Sequence, residues 1–200
     1  MSAPYPAEII NQLIQHRRSV KPSAYNPLPV DEKIIHQMLE NARWAPTHGM
    51  TEPWRFIVFT GEGLEQFATF QSELYKQTTS TELFNENKFL KLKTTPLKAS
   101  HLILIGMKRQ LNGKIPENEE ICAVACAVQN MMLTATAYGI GCYWSTGGMT
   151  YHPEMKNFLG LESTDKCLGM LYIGNYDPQE ISASRSPVSE KTRWVKGLYP

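Results

Sequence analysis

The stretch His101-Leu102-Ile103-Leu104-Ile105-Gly106 is a short and continuous apolar run. A run of this length without alternating polar positions is typical of a central strand that is buried on both faces. Such a strand requires a covering layer on each side of its sheet. The sequence therefore predicts a layered fold with this strand in its interior.

A long apolar segment follows, from Ile121 to Tyr138. Pro116 and a group of acidic residues precede it, which favours the start of a helix, and Gly139 ends it. Its length is close to that of a membrane span. Its polar residues and alanine-rich small faces instead favour a helix buried inside the protein or at a dimer interface, and no membrane contact is expected. These polar residues are Gln129, Asn130, Thr134 and Thr136.

Helices and strands alternate along the rest of the chain. Further strands are predicted from Trp54 to Thr60, from Cys142 to Trp144 and from Lys166 to Tyr176. Helices with one apolar face are predicted over residues 7–18, after Pro29-Val30-Asp31 and after Gly61-Glu62-Gly63. Residues 77–95 are polar and threonine-rich, and we expect an irregular or mobile helical excursion there. The alternation predicts an α+β fold, in a single domain over residues 1–200.

The composition is that of an ordinary soluble protein, with a formal net charge of +1 and 42% hydrophobic residues. Basic residues are scattered, so no nucleic-acid partner is predicted. The first residues lack the features of a secretory signal, and we expect a cytoplasmic protein. The four cysteines are too few for a disulfide scaffold. Cys122 and Cys126 share a helix face, but no further ligands stand nearby, so no metal site is expected.

A cationic cluster stands at the end of the first predicted helix, in the stretch His16-Arg17-Arg18-Ser19-Val20-Lys21. Pro22 stops the helix directly after it. Arginines bind phosphate through paired, charge-assisted hydrogen bonds, and a serine hydroxyl can bind a remaining oxygen. The cluster is therefore a candidate anion clamp. A solvated last turn is the alternative, because cations favour helix C-termini in any case.

Residues 44–56 strengthen the interpretation as an anion clamp. Pro46 ends the second helix, and a polar loop runs from there to the next strand. The combination of Arg-Arg-Ser, a helix, Ala45-Pro46-Thr47 and Pro53-Trp54-Arg55-Phe56 resembles the FMN-dependent nitroreductase family. The resemblance covers nearly the whole chain. It implies a mixed, mostly antiparallel central sheet flanked by helices, in an intertwined homodimer with the long helix at the interface.

The resemblance also implies a set of FMN-binding residues. They are Arg17, Arg18, Ser19 and Lys21 after the first helix, Pro46, Thr47, His48 and Met50 in the loop, Trp144, Ser145 and Thr146 after the long helix, and Arg185 near the C-terminus. In the family, the loop reaches FMN that is held mainly by the partner protomer. The chain departs from the family pattern at Met50, where many relatives have asparagine, at Glu52, where many have glutamine, and at Ala183, where a lysine is common.

The cationic residues have distinct implied roles. Arg17 and Ser19 match ligands of the phosphate and the ribityl chain, and Arg185 matches an arginine that completes the phosphate site. Lys21 matches a cation near the flavin pyrimidine edge, where positive charge stabilises the anionic reduced flavin. An ordinary surface lysine is the alternative for Lys21.

Two other residues keep two interpretations each. His48 is either a donor to a flavin carbonyl or a structural, hydrogen-bonded histidine. Trp144 either packs against the flavin or belongs to the core at the end of a strand. Glycines after Trp144 allow the backbone to approach the flavin ring closely.

The implied function is that of an FMN-dependent oxidoreductase. NADH or NADPH would deliver hydride to flavin N5, and a small-molecule acceptor such as a nitroaromatic, quinone or enone would take it in the same pocket, in a ping-pong cycle. No catalytic side chain is expected, because the isoalloxazine performs the redox chemistry. The chain contains no dinucleotide fingerprint and no catalytic motif of a hydrolase. The alternatives are dehalogenation, azoline oxidation or flavin breakdown on the same scaffold, and a flavin-binding module without catalysis.

Two segments are assigned by the same resemblance. Residues 65–95 are a variable excursion and a candidate lid over the active site. Residues 185–200 form a C-terminal tail. Its part from Trp194 to Tyr199 is expected to extend over the neighbouring subunit.

Overall fold

A computed structural model describes residues 5–177 and 183–197. The helices of the described residues are α1 (Ala7–His16), α2 (Glu32–Ala42), α3 (Glu62–Thr78), α4 (Glu86–Thr94), α5 (Glu117–Ala137) and α6 (Pro153–Phe158). The strands are β1 (Trp54–Thr60), β2 (His101–Met107), β3 (Gly141–Ser145) and β4 (Lys166–Gly174). Short 3₁₀ turns connect several of these elements.

The four strands form one sheet in the order β1-β2-β4-β3. Within residues 5–177 and 183–197 every neighbouring pair is antiparallel, whereas a mixed sheet was predicted. The register places Leu102 opposite Tyr172, and Cys142 opposite Ile173. Strand β3 pairs only with β4 and forms one edge of this sheet. An edge strand has unpaired backbone groups, so β3 can bind another chain segment or a ligand.

Strand β2 is buried along its whole length, as its apolar run predicted. Its alternate side chains enter two cores on opposite faces of the sheet. Ile103 and Ile105 pack in the core that contains α2 and α5. Leu102 and Leu104 pack in the second core, with α3, α4 and α6. Each such side chain stabilises the fold by roughly 1.5–3 kcal/mol through burial, and the result is a sheet between two helical layers.

Helix α5 is the only described helix long and apolar enough to cross a membrane by length and composition. Half of its most apolar window is buried inside the protein, as in the core helix of a water-soluble fold. Its buried side packs on the sheet through Val124, Val128 and Met131. Cys122 and Cys126 lie on its exposed side. One face of α5 is therefore a core face, and the other is uncovered in a single protomer.

Two element boundaries differ from the sequence prediction. Helix α1 ends at His16 rather than at residue 18, because Arg17 has an extended ψ of 125°. Strand β4 ends at Gly174 rather than at Tyr176, because Tyr176 bridges to Tyr25 instead. The second difference brings the N-terminal segment onto the sheet.

Residues 77–95 are more regular than predicted. Helix α3 continues to Thr78, and α4 forms from Glu86 to Thr94. The side chain of Asn85 caps α4 by accepting a 2.9 Å hydrogen bond from the Lys88 amide. Phe84 stacks on Tyr75 of α3, with ring centroids 5.5 Å apart. The cap and the aromatic contact were not anticipated, because an apolar pattern this loose does not specify a helix.

Candidate functional site

The cationic segment after α1 lies along the edge strand β3. The Val20 amide donates a 2.8 Å hydrogen bond to the carbonyl of Cys142, and the Val20 side chain is buried. Side chains alternate between the two sides of an extended segment. Ser19 and Lys21, on either side of Val20, are accordingly exposed.

Arg17 has an unsatisfied donor. Its Nη1 is buried and has no hydrogen-bond partner. The guanidinium acts electrostatically on the Cys142 thiol, although burial outweighs this effect and raises the pKa of that thiol to about 12. A buried, unpaired donor on a charged group costs roughly 1–3 kcal/mol or more. The arrangement fits a site that is completed by an anion.

Arg18 has a different role from its neighbour. Its Nη1 donates to the carbonyl of Gln15 and, at 2.9 Å, to the carbonyl of Arg17. These carbonyls belong to the end of α1, where a cation is favoured. The alternative interpretation of the cluster, a cationic last turn, therefore describes Arg18, while Arg17 fits the anion clamp.

A cleft of about 500 Å³ opens at the C-terminal end of β3, beside Trp144, Ser145 and Thr146. Trp144 is held in place because its Nε1 donates a 3.0 Å hydrogen bond to the carbonyl of Leu168. The amide of Gly147 donates to the Ser145 hydroxyl over 3.3 Å. The structure thus brings these three predicted residues to one cleft. Residues 142 and 145 are three positions apart in one strand, so roughly 10 Å of edge separates Cys142, beside Arg17, from Ser145.

Close packing fixes the backbone around this cleft. Gly148 has a φ of +68°, and a Cβ there would lie 2.8 Å from Leu92 Cδ2. Gly169 has a φ of +119°, and a Cβ there would lie 2.5 Å from the carbonyl oxygen of Ser145. Glycine is required at both positions, since other residues would be strained and would clash. The cleft therefore has a rigid wall on the β3 side.

The opposite wall comes from α3 and α4, within residues 65–95 that were predicted as a lid, but sequence reasoning named none of its side chains as site residues. They are Gln71, Lys88, Lys91, Leu92 and Thr95. Gln71 is buried, and its Nε2 donates a 2.7 Å hydrogen bond to the carbonyl of Leu92. Its Oε1 is buried without a partner. A buried acceptor of this kind at a cleft is expected to bind a donor on a ligand. In the sequence, the i,i+3 spacing of Lys88 and Lys91 was the available indication that the two side chains share a helix face.

The loop around His48 is strained. Met50 and Glu52 have φ values of +53° and +42°, although neither is glycine. Such residues cost of order 1–3 kcal/mol each and cluster at functional sites. Asparagine, which the family resemblance implies at position 50 in many relatives, adopts positive φ more readily than methionine. The loop is held by Thr47, whose Oγ1 accepts from the Glu52 amide at 3.2 Å.

His48 has a hydrogen-bond partner inside the protomer. Its Nδ1 contacts the Glu119 carboxylate in the first turn of α5. A second and shallow cleft lies beside His48. It is bordered by Pro46 and Thr47 of the loop and by Cys122 and Cys126 of α5. The loop therefore belongs to the layer of α2 and α5, whereas the cleft beside Trp144 borders α3 and α4 in the other layer. One protomer does not bring the two predicted halves of the flavin site together.

Arg185 lies in a fully exposed part of the chain. Its Nη1 donates to the neighbouring carbonyl of Ser184 at 2.8 Å. Residues 183–197 are exposed throughout, including Trp194, which is 81% exposed. Residues 198–200, at the end of the predicted tail, lie outside the described residues. The predicted extension of Trp194 to Tyr199 over the neighbouring subunit therefore stays a prediction.

The two buried cysteines are unsuited to thiol chemistry. Burial raises the pKa of both Cys142 and Cys167, which keeps these thiols protonated. In the described ranges, no group of three or more histidine, cysteine or carboxylate side chains is placed to hold a metal. The polar groups of the site are instead guanidinium, ammonium, hydroxyl and amide.

The family assignment follows from comparison with known proteins. The profile of the Nitroreductase family matches residues 14–175, which is most of the chain. The chain belongs to this family. The family prediction that rested on Arg17, Ser19 and the loop at Pro46 is confirmed.

Individual relatives agree over nearly their whole lengths. "Putative NAD(P)H nitroreductase YdjA" of Escherichia coli (strain K12) is 30% identical over 184 residues, which cover 92% of this chain and 96% of that protein. The crystal structure of a nitroreductase-like family protein from Bacillus cereus has a TM-score of 0.79 at 26% identity, over 98% of this chain and 100% of the other. The crystal structure of the FMN-dependent nitroreductase NfnB from Mycobacterium smegmatis, in complex with NADPH, has a TM-score of 0.74 at 20% identity. It covers 95% of this chain and 99% of the other. The predicted α+β nitroreductase-like fold is confirmed.

Proposed function

We propose that this protein oxidises NADH or NADPH and reduces an electron-poor acceptor, with FMN as the redox cofactor. Nitroaromatics, quinones and enones are the acceptor classes. The observation that carries the proposal is the buried, unpaired Nη1 of Arg17 on the same strand edge as the cleft beside Trp144. FMN has an anionic phosphate, which fits Arg17, and a planar ring, which fits the cleft. The names of the relatives, an NAD(P)H nitroreductase and an FMN-dependent nitroreductase, support it.

The residues that would hold FMN lie along β3. Arg17 would bind the phosphate with its unpaired donor, with the exposed hydroxyl of Ser19 beside it, and Arg185 in the tail would add a second guanidinium. Trp144 walls the ring site. When bound, FMN takes two electrons from the nicotinamide and passes them to the acceptor. Gln71 has an unsatisfied acceptor at the cleft, which would be available to a ring N–H of the flavin.

The rest of the cleft supplies positive charge and no general acid. Lys88 and Lys91 line it, and no carboxylate or histidine does so among the residues that border it. The ammonium group of Lys88 would stabilise the negative charge that reduction places on the flavin. The buried hydroxyl of Tyr172 is a poor proton donor, since burial raises its pKa. Protons therefore come from water, and both half-reactions of a ping-pong cycle use this one cleft.

We also infer a homodimer. The strained loop at Pro46–Met50 cannot reach the cleft of its own protomer through the sheet, so it would serve the site of a partner. Two uncovered apolar surfaces support a partner of the same chain. Helix α1 has no buried residue, and its Ile9 is 60% exposed. The exposed side of α5 carries small residues that allow close helix packing.

If the protein is a dimer, sedimentation equilibrium should give a molecular mass of twice the 22.7 kDa of one chain. Cys126→Arg is expected to shift the particle toward the monomer and to release flavin, because it places bulk and charge on the proposed helix interface. Gln66→Arg, on the exposed face of α3, is the control and should leave the dimer intact. A wild-type protein that is monomeric at micromolar concentration yet retains flavin would contradict the inference.

Absorption spectroscopy and steady-state kinetics test the function itself. The purified protein is expected to be yellow, to release FMN on heat denaturation and to oxidise NADH or NADPH with a nitro or quinone acceptor. A colourless protein that does not bind added FMN would refute the cofactor. If dithionite reduces the bound flavin but neither NADH nor NADPH does so, the protein is a flavin-binding module without this catalytic activity.

A further inference from the structure

The cleft beside Trp144 has an excess of positive charge on its outer wall. Lys88 and Lys91 lie three residues apart on α4 and both border it. The side chains that line the cleft include no carboxylate. None of the ion pairs in the described part of the chain involves either lysine. The wall therefore attracts an anionic group on whatever enters the cleft.

The two lysines are not equivalent. The Nζ of Lys88 lies over the ring of Tyr75, 4.4 Å from its centroid, and this cation–π contact fixes it against α3. Lys93, on the same helix, lies over the ring of Phe89 at 5.9 Å and does not line the cleft. Lys91 lines the cleft and has no such ring contact among the described residues. Thr95, one turn further along, adds a hydroxyl to the same wall.

The phosphate of FMN does not account for Lys91. The unpaired donor that fits a phosphate belongs to Arg17, which lies beside Cys142 near the far end of β3. The ring of the flavin needs hydrogen-bond partners at its edge, and Gln71 and Lys88 are available for these. We propose that Lys91 selects acceptors that carry a carboxylate on an aromatic ring. This inference rests on the proposed oxidoreductase function and names its acceptor class.

The test compares two acceptors that differ in charge and share one nitro-substituted ring. They are 4-nitrobenzoate and 4-nitrobenzamide, assayed with the wild-type holoenzyme and with Lys91→Gln. The variant is expected to lose roughly tenfold in kcat/KM for the benzoate, mainly through KM, which is the size of one charged hydrogen bond. Its kcat/KM for the amide should change by less than about twofold. Lys93→Gln is the matched control and should change neither value.

A second measurement needs no turnover. Benzoate binding, followed by isothermal titration calorimetry, should weaken by a similar factor in Lys91→Gln and remain unchanged in Lys93→Gln. If the holoenzyme oxidises neither nicotinamide with a nitro, quinone or enone acceptor, the proposed function fails, while the benzoate titration still decides the role of Lys91. An equal loss for the two acceptors, or a loss confined to the KM of NADPH, would overturn the inference, because Lys91 would then serve the flavin or the reductant.

Discussion

Replacement of Arg17 by glutamine is expected to weaken FMN binding by roughly two orders of magnitude. The buried Nη1 of Arg17 has no hydrogen-bond acceptor in the protein. A bound anion would supply that acceptor, so loss of the guanidinium weakens anion binding directly. Glutamine keeps part of the volume but removes the charge and the paired donors. Flavin fluorescence titration of the apoprotein with FMN measures the change. Riboflavin, which lacks the phosphate, should bind the variant and the wild type about equally.

The neighbouring residue gives the control for this prediction. Arg18→Gln removes a guanidinium from the same segment, but one that bonds the carbonyls of Gln15 and Arg17 at the end of α1. It should cost about 0.5–1 kcal/mol of stability and change FMN affinity by only a few-fold. Apo Arg17→Gln should be at least as stable as the wild type, because an unsatisfied buried charge is gone. Equal loss of FMN and riboflavin in Arg17→Gln would show that Arg17 supports the fold and does not bind the phosphate.

The residue pattern distinguished the cluster but not the two arginines within it, and only the family resemblance implied that Arg17 binds the phosphate. Both stand in the same basic run, and the pattern of residues carries no burial information at the end of a helix. Burial is decided by a contact between distant parts of the chain, the hydrogen bond from Val20 to Cys142. This bond fixes which side of the segment faces the sheet. The structure supports Arg17 as the candidate ligand of the anion, because its Nη1 has no partner, and it places Arg18 on the carbonyls at the helix end.

The strands and the long helix were predictable because their signals are local. Strand β1 has the predicted bounds, Trp54–Thr60, and β2 extends one residue beyond its apolar run. Helix α5 spans Glu117–Ala137, close to the predicted segment. In each case a continuous apolar pattern and a proline or glycine at the boundary specify the element.

The side chains of the outer wall were not named from the sequence for the opposite reason, although they lie within residues 65–95, the predicted lid. Helix α4 is stabilised by the cap at Asn85 and by aromatic contacts to α3, and neither produces a periodic apolar pattern. Without the helix, no argument could place Lys88 and Lys91 on one face. The loop at Pro46 was found by its resemblance to the family, but its position in the other layer depends on the packing of α2 and α5 on the sheet. Tertiary contacts, rather than propensity, determine these parts of the site.

Gly174→Ala is expected to destabilise the protein by roughly 2–3 kcal/mol and to reduce FMN affinity, although Gly174 is not one of the residues assigned to FMN. Gly174 pairs with Gly141 across β4 and β3, and the ring of Tyr25 fills the space that two missing side chains leave. A Cβ on Gly174 would lie 2.4 Å from Tyr25 Cδ2, so the ring must move. The hydroxyl of Tyr25 lies 2.9 Å from the carbonyl of Val20 and so holds the segment that carries Arg17.

A double-mutant cycle separates this mechanism from a general loss of strand stability. In a Tyr25→Ala background the ring is absent, so adding Gly174→Ala should cost less than about 1 kcal/mol in urea unfolding. Gly63→Ala in the first turn of α3 is the control. Its Cβ would lie 3.6 Å from Phe59, an ordinary contact, and alanine should stabilise the helix by up to about 1 kcal/mol. If Gly174→Ala is equally destabilising with and without the Tyr25 ring, the ring does not couple the sheet to the cationic segment, and the position of Arg17 must have another cause.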